Sequence, residues 1–164
     1  MTEIELINLA ENIINNLKSK KLTLGLAESC TGGWLSKIIT DVSGASAVYN
    51  GGICSYSNLV KINLLGVRAQ TLDTYGAVSE QTAREMAEGA RKALKSDIGI
   101  GITGIAGPLS DNTLKEVGLI YVAISYKDNT TVTQLNNKFK DNIRLNNRLS
   151  AVETALSLLG GINE

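Results

Sequence analysis

The chain has 164 residues, 43% of them hydrophobic and 20% charged, the composition of one globular domain. Sixteen basic residues balance sixteen acidic ones, so no cationic surplus exists to displace counterions from a nucleic acid. Histidine is absent, which excludes a Ser-His-Asp triad, a Cys-His dyad, a histidine-ligated zinc and any imidazole proton transfer.

The N-terminus, Met1 to Glu5, is acidic and continues into amphipathic sequence. It lacks the basic flank and apolar run of a signal peptide, and no stretch approaches the roughly 20 apolar residues of a membrane span. The chain therefore reads as soluble and cytoplasmic, with no membrane and no nucleic acid among its partners. Apolar residues from Ile4 to Leu17 recur on one helical face, with Thr2 as cap, and predict a helix over about 3–19. A short apolar run at 22–27 predicts a buried strand. A turn at Glu28-Ser29-Cys30 leads through Thr31-Gly32-Gly33 into a second helix ending near Thr40.

Residues 42–46 form a loop, and alternation over 47–57 predicts a strand bulged at Gly51-Gly52. Short helical pieces cover 58–75, and Ser79 caps a longer helix to about Lys95. A strand over 97–103 meets the turn Gly104 to Pro108. The stretches 117–126 and 130–139 form a hairpin around Lys127-Asp128-Asn129. A last helix spans about 142–159 and stops at Gly160-Gly161. Helices interleaved with strands, then a hairpin, predict one domain over 1–164: an α/β fold, a three-layer αβα sandwich with a mixed sheet.

Chemistry can sit at four places. Ser29 occupies a strand-to-helix junction, where a side chain projects from the sheet end. The N–H groups of Thr31, Gly32 and Gly33 could meet a phosphate or a developing oxyanion there. The plain alternative is that Ser29 or Thr31 simply caps the helix. Without histidine, a serine nucleophile must use lysine, tyrosine or a carboxylate as base. Tyr56 and Lys61 stand at a strand end and one turn into the next element, and Lys61 acts as a base only if its pKa is lowered. The alternative is a solvated surface lysine.

Gly99 to Gly104 spells G-x-G-x-x-G but is itself the strand rather than the turn after one, so a dinucleotide fingerprint is rejected. What remains is Thr103 at a strand end, with Gly104 allowing close backbone approach to a ligand. Arg144 and Arg148, four apart on one face of the last helix, suit a phosphate clamp or simply a solvated face. Asp41, Asp73, Glu80, Glu85 and Glu88 are scattered without metal-ligand spacing, so neither metal nor cofactor is expected. Cys30 and Cys54 are too few for a disulfide framework. A Cys30 nucleophile is disfavoured because its side chain should point away from Ser29's side of the turn and no histidine could activate it.

Four stretches in order carry a family resemblance: A-E-S-C-T-G-G at 27–33, Y-S-N with a lysine three residues on at 56–61, G-A-V-S-E at 76–80 and T-G-I-A-G-P at 103–108. Over about residues 5 to 160 the chain resembles the C-terminal domain of the competence-damage-inducible (CinA-like) family in its stand-alone nicotinamide-nucleotide amidase form. That resemblance implies hydrolysis of the carboxamide of nicotinamide mononucleotide (NMN) to nicotinate mononucleotide and ammonia, in pyridine-nucleotide recycling. It implies Ser29 as nucleophile, Lys61 as its partner and Tyr56 assisting. Ser46, Thr103 and either Arg144 or Arg148 are implied in substrate binding or catalysis, and a homodimer or larger assembly is implied. The chain departs from the family at Leu109-Ser110-Asp111-Asn112, where glycines are usual, and at Lys115-Glu116-Val117-Gly118, where the family often has K-P-V-G. Two alternatives stand beside the NMN amidase. One is a non-catalytic member binding a nucleotide or a protein partner in DNA uptake. The other is an amidase for a different carboxamide, such as nicotinamide or its riboside, against which phosphate-clamp arginines argue.

Overall fold

A computed structural model describes residues 1–162. Helix α1 (Glu3–Ser19) opens with a capping box, in which Thr2 accepts from the Glu5 N–H and Glu5 answers to the Thr2 N–H. Strand β1 (Leu24–Glu28) and helix α2 (Trp34–Thr40) follow. A short 3-10 turn (Ala45–Ala47) leads into β2 (Tyr49–Cys54). The stretch 58–75 holds two helices, α3 (Asn58–Leu65) and α4 (Ala69–Tyr75). Helix α5 (Glu80–Leu94) is capped by Ser79, and β3 (Ile98–Gly104) follows it. The hairpin of β4 (Leu119–Tyr126) and β5 (Asn129–Asn136) leads to α6 (Ile143–Gly160).

The expected αβα sandwich is observed. The sheet order is β2-β1-β3-β4-β5, with β1 parallel to both neighbours and β4 antiparallel to β3 and β5. Boundaries differ by one to three residues from the periodicity. β1 starts later and takes in Glu28, and β2 is six residues long rather than eleven. The irregularity in β2 falls at Asn50, because Leu24 pairs with Tyr49 while Gly25 pairs with Gly51.

Strand alternation sorts the sheet between two helical layers. Leu24, Leu26, Ile98, Ile100 and Ile102 point into the main core with α1, α2 and α6. The opposite face carries Gly25, Ala27, Gly99 and Gly101 against α5, which sits almost on the backbone of β3. A Cβ on Gly99 would fall 2.0 Å from the Ala87 carbonyl oxygen, and one on Gly101 2.5 Å from that of Ala83. These glycines serve helix–sheet contact, which gives the rejected dinucleotide spelling its physical meaning.

Candidate active site

The pleat separates Glu28 from Ser29. Residues 25, 27 and 29 share a face, so Ser29 emerges toward the layer of α3 and α5, while Glu28 turns to the α2 side. Helix α3, capped by Ser57, carries Lys61 in its first turns. Lys61 is buried at 1% exposure, not solvated. Its Nζ donates to Ser29 Oγ at 3.2 Å and to the Ser55 carbonyl at 2.5 Å, with the Tyr56 carbonyl at 3.5 Å. Burial lowers the Lys61 pKa from its ordinary 10.5 to about 8, against a smaller opposing effect from Cys30. Lysine and serine thus meet as a nucleophile–base pair requires.

The pair opens into a cavity of about 240 Å³ whose walls include Tyr56, Ala77, Val78, Thr103, Gly104, Gly107, Asp111 and Arg144. Thr103 is buried and donates to the Ala77 carbonyl at 2.7 Å, which ties the end of β3 to the segment before α5. Arg144, in the first turn of α6, donates one guanidinium N–H to the Gly107 carbonyl at 2.9 Å. Tyr56 is 68% exposed and stands at the mouth.

Several expected residues lie elsewhere. Arg148, one turn after Arg144, stacks its guanidinium 5.2 Å from the Trp34 ring centre and donates to the Thr31 carbonyl at 2.8 Å. It braces the far side of the β1–α2 turn and does not line the cavity, so Arg144 alone of the two reaches it. Ser46 sits exposed on the 3-10 turn, outside the cavity lining. Gly32 and Gly33 are not anion donors either: the Gly32 N–H goes to the Ser29 carbonyl at 3.1 Å and the Gly33 N–H to Glu28 at 3.1 Å. Thr31 is fully buried, its hydroxyl without a partner among the described residues, and it caps nothing. Among those residues the N–H groups of Cys30 and Thr31 meet no carbonyl acceptor. Of the two, Cys30 borders the cavity and Thr31 does not.

Cys30 borders the same cavity as Ser29 but is 6% exposed and belongs to the main core cluster with Leu24, Leu26 and Leu35. What disqualifies it is environment: burial pushes its thiol up to about 12, far from thiolate at neutral pH. The sequence reading missed Glu28, whose carboxylate holds the start of α2, and Ser55, whose carbonyl holds Lys61. An acidic side chain just ahead of a Gly-Gly helix start was the available signal for Glu28. Among the described residues no group of three or more metal-binding side chains occurs, and no helix is long and apolar enough to cross a membrane.

A mixed-sheet α/β domain with a buried Ser-Lys pair, the serine at the end of a parallel strand and the lysine on the neighbouring helix, defines the class. The model of the CinA C-terminal domain matches residues 6–162, and the chain belongs to that family. A CinA-like protein of Leptospira borgpetersenii is 53% identical over 121 residues, covering 74% of this chain and 29% of that protein. One from a Picosynechococcus species is 57% identical over 107 residues, covering 65% and 26%. The chain spans about 30% of the length of the curated relatives it matches. Among solved structures, a competence/damage inducible protein from Agrobacterium tumefaciens superposes with a TM-score of 0.91 at 36% identity, covering 100% of this chain and 98% of that one. A competence-damaged protein (CinA) superfamily protein from Escherichia coli gives 0.87 at 31%, covering 94% and 88%.

Proposed function

We propose that this domain hydrolyses the carboxamide of NMN to nicotinate mononucleotide and ammonia, using Ser29 and Lys61. The observation that carries the reading is the 3.2 Å contact between a fully buried lysine amine and the serine hydroxyl at the cavity floor. Amide cleavage by such a pair needs neither histidine nor metal. Neutral Lys61 takes the Ser29 proton as Oγ attacks the carboxamide carbon. The N–H of Cys30, which borders the cavity and has no carbonyl acceptor among the described residues, meets the tetrahedral oxygen. The proton held on Lys61 passes, with Tyr56 assisting, to the departing nitrogen, which leaves as ammonia. Water activated by the same amine then cleaves the acyl ester and frees Ser29. Arg144 at the cavity wall supplies the cation for a phosphate, and the flanking glycine turn lets the nucleotide approach. The active species is proposed to be a homodimer or larger, which light scattering on the purified chain tests.

Ammonia release from NMN decides the reading, with nicotinamide, nicotinamide riboside and glutamine alongside and EDTA in a parallel set. EDTA-insensitive release from NMN alone is the expected result. Release from another carboxamide would reassign the substrate. No release from any of them by folded protein would remove the amidase and favour a domain that only binds.

A further inference from the structure

We infer that Glu28 is a positioning residue: its carboxylate, reaching α2 from the opposite face of the sheet, fixes the alignment of Ser29 Oγ against Lys61 Nζ. The inference rests on the reading of Ser29 and Lys61 as nucleophile and base, and it adds a residue to which that reading gave no role.

Glu28 is buried at 1% exposure and its carboxylate has four donors. They are the N–H groups of Gly33 at 3.1 Å, Leu35 at 3.1 Å and Ser36 at 2.8 Å, and the Ser36 hydroxyl at 2.7 Å. Space for this cluster is left by Gly52 on the neighbouring strand, where a Cβ would fall 2.5 Å from both Ser36 Oγ and the Tyr49 hydroxyl. Every partner is a donor, so only an acceptor-only side chain satisfies them all; a carboxamide would turn its own N–H groups toward N–H groups.

The same residue holds the base. The Glu28 carbonyl accepts from the Ser55 N–H at 2.8 Å, and the Ser55 carbonyl accepts from Lys61 Nζ at 2.5 Å. Ser29 lies between these two anchors, its N–H on the Ile102 carbonyl at 3.0 Å and its carbonyl on the Gly32 N–H at 3.1 Å. The turn from Ser29 to Gly33 is thus fastened at one end by β3 and at the other by the Glu28 carboxylate. Releasing the second end frees the turn to rotate Oγ away from Nζ. A misplacement of about 1 Å at a reacting atom can cost about 10²-fold in rate.

The test measures Ser29 reactivity without any natural substrate. Phenylmethylsulfonyl fluoride sulfonylates a serine: the Oγ–S bond forms, the S–F bond breaks to release fluoride, and the hydroxyl proton passes to the lysine amine. Labelling of the full chain is followed by intact mass and mapped to Ser29 across pH 6 to 10, with unfolding temperature and NMN turnover measured on the same samples. Glu28→Gln should label about 10²-fold more slowly per folded molecule and lose the rise through pH 8 that Lys61 imposes. Ser36→Ala, which removes one donor of four, should label about 3-fold more slowly. A carboxylate with a structural role only would lower the unfolding temperature and leave rate and pH profile unchanged, and that result from folded Glu28→Gln overturns the inference. If Glu28→Gln does not fold, Ser36→Ala decides, and labelling at the wild-type rate overturns it. Wild-type protein labelled at Ser29 but inert on NMN removes NMN as the substrate and leaves this inference to the variants. Wild-type protein that does not label at Ser29 at any pH overturns both the nucleophile assignment and this inference.

Discussion

The ends of β1 and β3 are neighbours in the sheet, both run into glycine-rich turns, and both look in sequence like places for an anion. They do opposite things with their backbone. After β1 the Gly32 and Gly33 amides, and those of Leu35 and Ser36, are consumed inside the protein by the Ser29 carbonyl and the Glu28 carboxylate. After β3 the run from Thr103 to Gly107 faces the cavity and meets Arg144 from α6. The first end is fixed machinery carrying the nucleophile; the second is wall. Glycine content tells where a backbone can come close, not what it comes close to, and a buried carboxylate nearby claims the amides before any ligand can.

The sharpest way to break this contrast is at Ser29. Ser29→Ala should lower NMN turnover by at least about 10³-fold with the far-ultraviolet spectrum unchanged. A near-normal rate would strip the β1 end of its role. Next comes Lys61→Met, expected to cut the rate by about 10²- to 10⁴-fold while raising stability by about 1–2 kcal/mol at pH 7. The sign follows from burial: the folded pKa is lowered to about 8 from 10.5. Between these values the unfolded chain holds the proton more tightly, so the wild-type lysine is most destabilising below pH 8 and is relieved as pH climbs toward 10.5. Denaturant titrations of both proteins at pH 7 and pH 10 should show the variant's advantage shrink at the higher pH. For the wild type, kcat/KM should rise with pH through about 8, as Lys61 loses its proton; a flat profile would remove lysine as base.

Arg144→Ala probes the β3 end and should raise KM for NMN by about 10- to 100-fold with a smaller change in kcat, reversing the preference for NMN over its riboside. The smallest expected effect on chemistry is that of Arg148→Ala. Its loss from the Trp34 face and the Thr31 carbonyl should reduce stability by about 1 kcal/mol and change KM by less than about 3-fold. Equal KM effects from the two arginines would erase the division between the cavity-lining and the turn-bracing arginine.

These two arginines also mark how far sequence reached. Spacing of four placed both on one stripe of a helix, and that is where they are. What each one touches depends on whether a neighbour stands opposite, and the neighbours, Gly107 and Trp34, come from distant parts of the chain. The layered fold, the capped helices α1 and α5 and the final hairpin were readable because they rest on local periodicity and caps. Lys61 at Ser29 came from family resemblance rather than local pattern, since its burial is created by packing across 32 positions of sequence. Strand alternation through Leu24, Leu26 and Ala27 is by itself enough to divide Glu28 from Ser29, sending one to α2 and the other to α3.

The bare contact of α5 on β3 has a consequence for how this domain can change over generations. Where Gly99 and Gly101 meet the carbonyls of Ala87 and Ala83, the nearest atoms are helix backbone, which no change of rotamer can move. Any added carbon must move the backbone itself, and with it Ala77 and Val78, which lead into α5 and line one side of the cavity. That side is therefore closed to gradual tinkering. Variation in what the cavity admits has to enter from the opposite bank, through residues 109–114, where Leu109 and Leu114 already face solvent, and stops at Lys115, which is tied to the Tyr75 and Val78 carbonyls.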